Sequence, residues 1–183
     1  MGSAAGPSDE VVVRRTDPEG ERGARAEVMR QSWEVAYRNI FTGTEIGRIF
    51  DGSLRLAGDW TARRTAAAET LVAVRGERLV GLAGLGILEP GVGEVAAFYV
   101  HPEHQRRGVG LRLWQEALRT LCAHRCTRLE VWTLARAEAL HFYEARGCAA
   151  VADGMLRVGD HAEPVIGYGL ELPSPHPTED GDR

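Results

Sequence analysis

The fold is decided by the stretch Val95-Ala-Ala-Phe-Tyr-Val100-His-Pro-Glu-His-Gln105-Arg-Arg-Gly-Val-Gly110-Leu-Arg-Leu-Trp-Gln-Glu-Ala-Leu-Arg-Thr-Leu121. It opens with an apolar run that is typical of a buried strand, and a polar turn beginning at His101-Pro102 follows. The basic turn 105–110 contains two glycines and leads directly into an amphipathic helix. This order can bind an anion, because the free N–H groups of the first helical turn point toward it. We therefore predict phosphate binding in this turn.

The composition indicates one globular domain. The chain has 183 residues, of which 44% are hydrophobic, and a net charge of −4, which suits a single sizeable core. No apolar run reaches the roughly 20 residues that span a bilayer, and the N-terminus lacks the features of a signal peptide. We expect a cytoplasmic protein without a membrane partner. The slight acidity also argues against a nucleic-acid partner.

Residue usage excludes several kinds of chemistry. The three cysteines, Cys122, Cys126 and Cys148, argue against a disulfide framework, and no second Cys/His pair stands at ligand spacing, so we expect no metal. The chain contains no lysine, which excludes a Walker A motif and a Schiff base. A dinucleotide-binding oxidoreductase would need a third glycine at the position of Leu113. It would also need an acidic residue at the far end of the next strand, whereas Glu130 lies near the start of that strand.

The alternation of apolar patterns predicts an α/β fold in the order β-α-α-β-β-β-α-β-α-β-β, with helices on both faces of a mixed sheet of about seven strands. We expect residues 10–172 to form this domain, and residues 1–9 and 173–183 to be disordered. The region 53–68 is ambiguous, with some helical character around Trp60. Strands are expected at 10–15, 70–75, 78–88, 94–100, 128–134, 148–151, 156–158 and 165–172, and helices at about 21–40, 45–50, 108–123 and 135–146.

The turn Gln105-Arg106-Arg107-Gly108-Val109-Gly110 resembles motif A, Q/R-x-x-G-x-G/A, of the GNAT superfamily of acyl-CoA-dependent N-acetyltransferases. The resemblance extends from about Val11 to Leu172 and implies acetyl-CoA as the donor. It also implies that the strand ending at Val100 diverges from the strand 128–134 and pairs with the pantetheine arm. The expected coenzyme contacts are Phe98, Tyr99, Val100, Gln105, Arg106, Arg107, Gly108, Val109, Gly110, Leu111 and Arg136.

The resemblance also implies two catalytic residues. Glu94 stands eleven residues before Gln105, where several members carry a glutamate general base. It would act through a water, because at ~3.3 Å per residue it lies about 20 Å from Val100. Tyr143 matches the residue proposed to protonate the coenzyme thiolate. From the residues alone, Glu94 is also consistent with an exposed strand start, and Tyr143 with a core tyrosine.

Two positions depart from the motif that surrounds Tyr143. The chain has Arg136-x-x-Ala139-x-x-Phe142-Tyr143-x-x-x-Gly147-Cys148, so Arg136 replaces the usual asparagine and Cys148 the usual phenylalanine. The first change affects a side-chain contact to the coenzyme. The second changes packing, and no partnered base marks Cys148 as a nucleophile.

The acceptor side is less defined by sequence. Trp33, Tyr37, Phe50 and Tyr168 are candidates to line the amine site, and each is also consistent with the core. The expected activity is direct acetyl transfer from acetyl-CoA to a primary amine, either a small molecule, such as a metabolite or antibiotic, or a protein N-terminus. The alternative is a catalytically degenerate acyl-CoA-binding sensor or scaffold. A homodimer is compatible with either.

Overall fold

The computed structural model describes residues 10–54, 56–58 and 66–173 of the chain. The four helices are α1 (Arg22–Ala36), α2 (Gly43–Phe50), α3 (Val109–Ala123) and α4 (Leu140–Glu144), and a short 3-10 helix spans Pro102–His104. The strands are β1 (Val11–Arg15), β2 (Leu56–Gly58), β3 (Ala66–Arg75), β4 (Arg78–Glu89), β5 (Val92–Val100), β6 (Arg128–Leu134), β7 (Ala149–Val158) and β8 (His161–Glu171).

All eight described strands form one sheet in the order β1-β3-β4-β5-β6-β8-β7-β2. Only β5 and β6 pair in parallel, because α3 connects them by a crossover, and the other pairs are antiparallel. The predicted mixed α/β sheet is therefore confirmed. The additional strand, β2, pairs with β7 at the edge. Its three residues lie in the region that the sequence left ambiguous, and Trp60 lies outside the described residues.

Several predicted boundaries were wrong. The expected strands 148–151 and 156–158 are one strand, β7, with an irregularity between Ala150 and Ala152. Helix α2 begins after Thr42, not Thr44, because the Thr42 hydroxyl accepts from the N–H of Glu45 at 3.2 Å and the Glu45 carboxylate accepts from the N–H of Thr42 at 2.8 Å. This reciprocal capping box satisfies two backbone donors. The last helix is also shorter than predicted.

Helices cover both faces of the sheet, as predicted. Val72 belongs to a cluster with Val28 of α1, whereas its neighbour Ala73 packs in the cluster that contains α3, and successive strand residues point to opposite faces. The buried stripe of α3 consists of Val109, Leu113, Trp114, Ala117 and Leu121. Leu111, an expected coenzyme contact, lies outside this stripe and is 44% exposed.

None of the described helices is long and apolar enough to cross a bilayer. The longest, α1 and α3, have 15 residues each, whereas a membrane span needs about 20.

Candidate active site

Strands β5 and β6 diverge in the middle of the sheet. Their parallel pairing runs from Val92↔Arg128 to Val95↔Val131 and then stops, although both strands continue. The register of β5 against β4 shifts at the same point, between Val95 and Ala97, so Ala96 bulges from the ladder. A wedge-shaped gap therefore opens between the C-terminal ends of the two strands, as the resemblance requires.

The β6 side of β5 presents backbone groups to this gap. The N–H of His101 donates to Val80 of β4 at 2.9 Å, and backbone groups alternate in direction along a strand. Val100 and Phe98 therefore direct their N–H and C=O groups into the gap. The Val100 carbonyl accepts from Ser32 Oγ at 3.1 Å and from Gln105 Nε2 at 3.0 Å. Phe98 is left to pair with an added extended chain.

The anion turn at the start of α3 has the backbone geometry that its sequence requires. Arg106 and Gly108 both have positive φ, of 59° and 80°, and a Cβ added to Gly108 would meet nothing within 4 Å. The first bond of the helix runs from the N–H of Arg112 to Gly108 at 3.1 Å, and no described side chain caps the helix. The preceding N–H groups are thus available to an anion in open space.

Other residues of the turn have distinct roles. Gln105 joins the turn to the end of β5 through its bond to Val100. Arg106 and Arg107 are exposed, and Val109 is buried in the core. A Cβ on Gly110 would lie 3.4 Å from the Phe142 ring, so this glycine allows α3 to pack closely against α4.

A cavity of about 190 Å³ lies where β5 and β6 diverge. Trp33 and Tyr37, two of the predicted acceptor-site residues, both line it. The Trp33 ring contacts the Tyr37 edge, with centroids 4.9 Å apart, and Phe50 packs behind Trp33 at 5.7 Å. The full lining is Trp33, Tyr37, Leu56, Ala96, Tyr99, Trp132, Thr133, Leu134, Leu156 and Val165. We call this space the splay cavity.

Three tyrosines interact electrostatically at the splay cavity. Burial raises the pKa of Tyr37, Tyr99 and Tyr143, and Tyr99 and Tyr143 each add to the shift of Tyr37. Tyr143 does not line the cavity itself. It is enclosed by the rings of Trp114 at 5.7 Å and Tyr168 at 5.9 Å. All three phenols therefore stay protonated at neutral pH.

Glu94 is buried and is not an exposed strand start. Its exposed fraction is 2%, and it lies on the face opposite α3, because its neighbour Gly93 faces Leu121 of that helix. Directly beside it in the parallel register stands Glu130, which is 8% exposed and 3.5 Å from the Arg128 guanidinium. Two carboxylates thus share the face that leads toward the splay cavity.

Two predicted site residues have other partners. The exposed Arg136 pairs with Glu163 of β8 at 2.6 Å. Tyr168 packs on Tyr143, and its hydroxyl donates a hydrogen bond to the Glu144 carboxylate at 3.0 Å. Tyr168 therefore supports Tyr143 and is not among the residues that line the splay cavity.

Sequence reasoning missed Ser32 and Glu130. Ser32 is a buried polar residue next to Trp33 on α1, and its bond to Val100 ties α1 to the end of β5. A polar residue within a buried helical stripe was the available signal. Glu130 was weighed only as a ribose-binding acid, and its position beside Glu94 depends on strand register.

One group of metal-ligand type occurs among the described residues, formed by His101, Glu103 and His104. Arg78 lies 3.1 Å from Nε2 of His101 and 3.2 Å from the Glu103 carboxylate. A guanidinium thus already supplies the positive charge at this cluster.

The diverging strands, the open anion turn and the aromatic cavity between them can be compared with known proteins. The sequence profile of the acetyltransferase (GNAT) family matches residues 31–148, more than half of the chain. The chain belongs to the GNAT acetyltransferase family. In a comparison with curated protein sequences, nothing matches this GNAT protein significantly.

Solved GNAT structures share its fold. The PaiA N-acetyltransferase of Thermoplasma acidophilum, in complex with coenzyme A, superposes with a TM-score of 0.62 at 18% identity, covering 86% of this chain and 98% of that one. A GCN5-related N-acetyltransferase from Rhodopseudomonas palustris superposes with a TM-score of 0.68 at 20% identity, covering 93% of this chain and 100% of that one. The ribosomal-protein-S18-alanine N-acetyltransferase of Escherichia coli superposes with a TM-score of 0.62 at 15% identity, covering 92% of this chain and 98% of that one.

Proposed function

We propose that this GNAT protein transfers an acetyl group from acetyl-CoA to a primary amine by direct attack, without a covalent enzyme intermediate. The observation that carries the proposal is the divergence of β5 and β6 after Val95 and Val131. The anion turn follows the end of β5, and the aromatic splay cavity lies between the diverging strands. Family membership and the coenzyme A bound to the Thermoplasma acidophilum structure support the donor.

The donor binds along β5 and the start of α3. Its pyrophosphate accepts hydrogen bonds from the backbone N–H groups of residues 108–111. Arg106 and Arg107 add positive charge. The pantetheine arm pairs with Phe98 and the N–H of Val100, as an added strand does. Leu111, exposed beside the turn, supplies apolar contact. The thioester then lies at the splay cavity, next to Tyr99.

Glu94 accepts the proton of the attacking amine through a water. The amine is an ammonium ion in solution, and only its neutral form is a nucleophile. Glu94 takes up the ammonium proton through a water, and the neutral nitrogen attacks the thioester carbonyl carbon. As the C–S bond breaks, Tyr143 protonates the thiolate, and the second N–H proton of the attacking nitrogen restores the phenol. The burial of Glu94 on the face that leads to the cavity supports this role.

Tyr143 donates its hydroxyl proton to the departing thiolate. A phenol is normally a weaker acid than a thiol, but burial also makes a thiolate more basic. Burial raises the pKa of Cys148, which interacts electrostatically with Tyr143, to about 11. Burial raises the pKa of Tyr143 as well, so a buried coenzyme thiolate, although more basic than in water, receives the proton through the placement of the phenol against the sulfur.

The amine reaches the thioester through the surface formed by Trp33 and Tyr37, and Tyr168 supports Tyr143 from behind. Arg136 stays a proposed coenzyme contact, which requires it to leave Glu163. The acceptor class includes small amines and protein N-termini, and the name of the Escherichia coli structure supports the latter. The domain limits 10–172, the cytoplasmic location and a homodimer remain predictions.

Thiol release from acetyl-CoA, measured across a panel of amines with mass analysis of the products, tests this function. We expect acetylated amine in amounts equal to the thiol released. An acetyl group trapped on Cys122, Cys126 or Cys148 would contradict direct transfer. Saturable binding of acetyl-CoA with no thiol release for any amine would favour the sensor or scaffold alternative.

A further inference from the structure

Arg146, two residues after the end of α4, stacks on an aromatic ring of that helix. Its guanidinium carbon lies 3.5 Å from the centre of the Phe142 ring, and its Nη1 donates to the Phe142 carbonyl at 2.8 Å. A guanidinium that is stacked and hydrogen-bonded to the same residue keeps few of its side-chain orientations. The positive charge of Arg146 is therefore held in one place on α4.

The Phe142 ring brings this charge next to the anion turn. A Cβ added to Gly110, in the first turn of α3, would lie 3.4 Å from an edge carbon of the ring. The Phe98 ring packs on Phe142 with centroids 5.2 Å apart, and Phe98 directs its backbone groups into the gap between β5 and β6. The ring that carries the guanidinium thus also contacts the anion turn and the strand along which the coenzyme is proposed to bind.

The guanidinium has no carboxylate partner in the part of the chain that the structure describes. No ion pair between described residues includes Arg146, and its buried Nε has no hydrogen-bond partner among them. The Glu144 carboxylate, two residues away, instead accepts from the Tyr168 hydroxyl at 3.0 Å. Arg136, which occupies the motif position, is paired with Glu163 at 2.6 Å. The charge of Arg146 is therefore available to an anion from outside the chain.

We propose that Arg146 binds a phosphate group of the coenzyme and supplies positive charge from the α4 side of the anion turn. This inference rests on the proposed function, because it takes the same donor. The planar N–H groups of a guanidinium match the oxygens of a phosphate. Position 146 is one of the variable positions between Tyr143 and Gly147, so the family motif does not specify an arginine there. The coenzyme offers two phosphate sources, its pyrophosphate and the phosphate on its ribose.

Calorimetric binding of coenzyme A to the full chain tests the proposal without any acetyl transfer. We expect Arg146→Met to weaken binding about tenfold, the effect of about one hydrogen bond to a charged group. Arg146→Lys keeps the charge and should recover part of this loss. Arg119→Met is the control, because Arg119 is an exposed arginine paired with Glu116 and lies about 15 Å along α3 from its first residue. It should bind coenzyme A as the wild type does.

The salt dependence of binding distinguishes a charge contact from a packing effect. The loss caused by Arg146→Met should shrink as the ionic strength rises, because salt screens the attraction between partly exposed charges. Equal affinity of the wild type and Arg146→Met, or a loss that stays constant from low to high salt, overturns the proposal. The probe 3′-dephospho-coenzyme A identifies the phosphate: the same loss with this probe assigns Arg146 to the pyrophosphate, and no loss assigns it to the ribose phosphate.

Thiol release from acetyl-CoA, measured on the same preparations, separates this proposal from the proposed function. Weaker binding of coenzyme A by Arg146→Met, in a protein that acetylates no amine, supports the phosphate contact and refutes only the acetyltransferase activity. Unchanged binding by this variant, in a protein that does acetylate an amine, overturns the phosphate contact and leaves the activity standing. A wild-type chain that does not bind coenzyme A overturns both.

Discussion

Glu94 and Glu130 stand side by side in the parallel register of β5 and β6, and both are buried. Strand neighbours are about 4.8 Å apart, so their carboxylates face the same small volume next to the splay cavity. The Arg128 guanidinium lies 3.5 Å from the Glu130 carboxylate. Glu94, the more deeply buried of the two at 2% exposure, is the one we assign as general base.

Replacing Glu94 with glutamine should lower kcat by about 100-fold, the usual contribution of a general base. Steady-state rates of acetyl transfer measure this effect. Glu116→Gln, on the solvent side of α3, is the control and should retain the wild-type kcat. An unchanged kcat in the Glu94 variant would exclude Glu94 as the base.

Replacing Tyr143 with phenylalanine should lower kcat by about 10- to 100-fold, with little change in Tm because the ring packing is retained. Burial raises the pKa of Tyr143, so the phenol keeps its proton as the pH rises. We therefore expect no loss of wild-type kcat from Tyr143 ionisation at mildly alkaline pH. Tyr168→Phe, which removes only the bond to Glu144, is the control; equal losses in both variants would argue against a role at the thiolate.

Replacing Gly108 with alanine should weaken acetyl-CoA binding, because a methyl group would enter the open space where the pyrophosphate is expected. The positive φ of 80° also costs stability on the order of 1 kcal/mol for a non-glycine residue. Gly52→Ala is a closely matched control, since Gly52 has a φ of 79° and equally open space in the turn after α2. Titration calorimetry and urea unfolding should show similar destabilisation of both variants, but weaker binding only for Gly108→Ala.

The Glu21 carboxylate should make stability depend on pH. Hydrogen bonding from the Arg14 guanidinium lowers the pKa of Glu21 from 4.5 to about 2. A depressed folded-state pKa means that this stabilisation is fully present above about pH 4.5 and is lost as the pH falls toward 2. Because Arg14 is nearly half exposed, solvent screening limits the effect to the order of 1 kcal/mol.

Urea unfolding of wild type and Glu21→Gln at several pH values tests this expectation. The difference in the free energy of unfolding should shrink between neutral pH and pH 2. A difference that does not change with pH would show that the lost contact is not ionic.

Contiguous signals made part of the site predictable from sequence. The anion turn 105–110 lies within one short segment, so its glycines and the helix after it could be recognised together. Tyr143 was singled out by its place in the family motif that spans residues 136–148, and its catalytic role stays a prediction. By contrast, Arg136 occupies a motif position that usually holds asparagine, and its pairing with Glu163 depends on how β8 passes the end of β6. Strand β2 has three residues, too few for an alternating hydrophobic pattern to be recognised in the sequence.

The sequence by itself determined the order of strands and helices and the turn that can bind a phosphate, because hydrophobic period and glycine placement are local properties. Only the tertiary structure decided that β5 and β6 part after Val95, since a splay depends on what packs between two strands distant in sequence. The strand register that places Glu94 beside Glu130 also depends on the tertiary structure. So does the packing of the Trp132 ring against Gly167. Contacts between segments far apart in the chain leave no periodic signature in either segment.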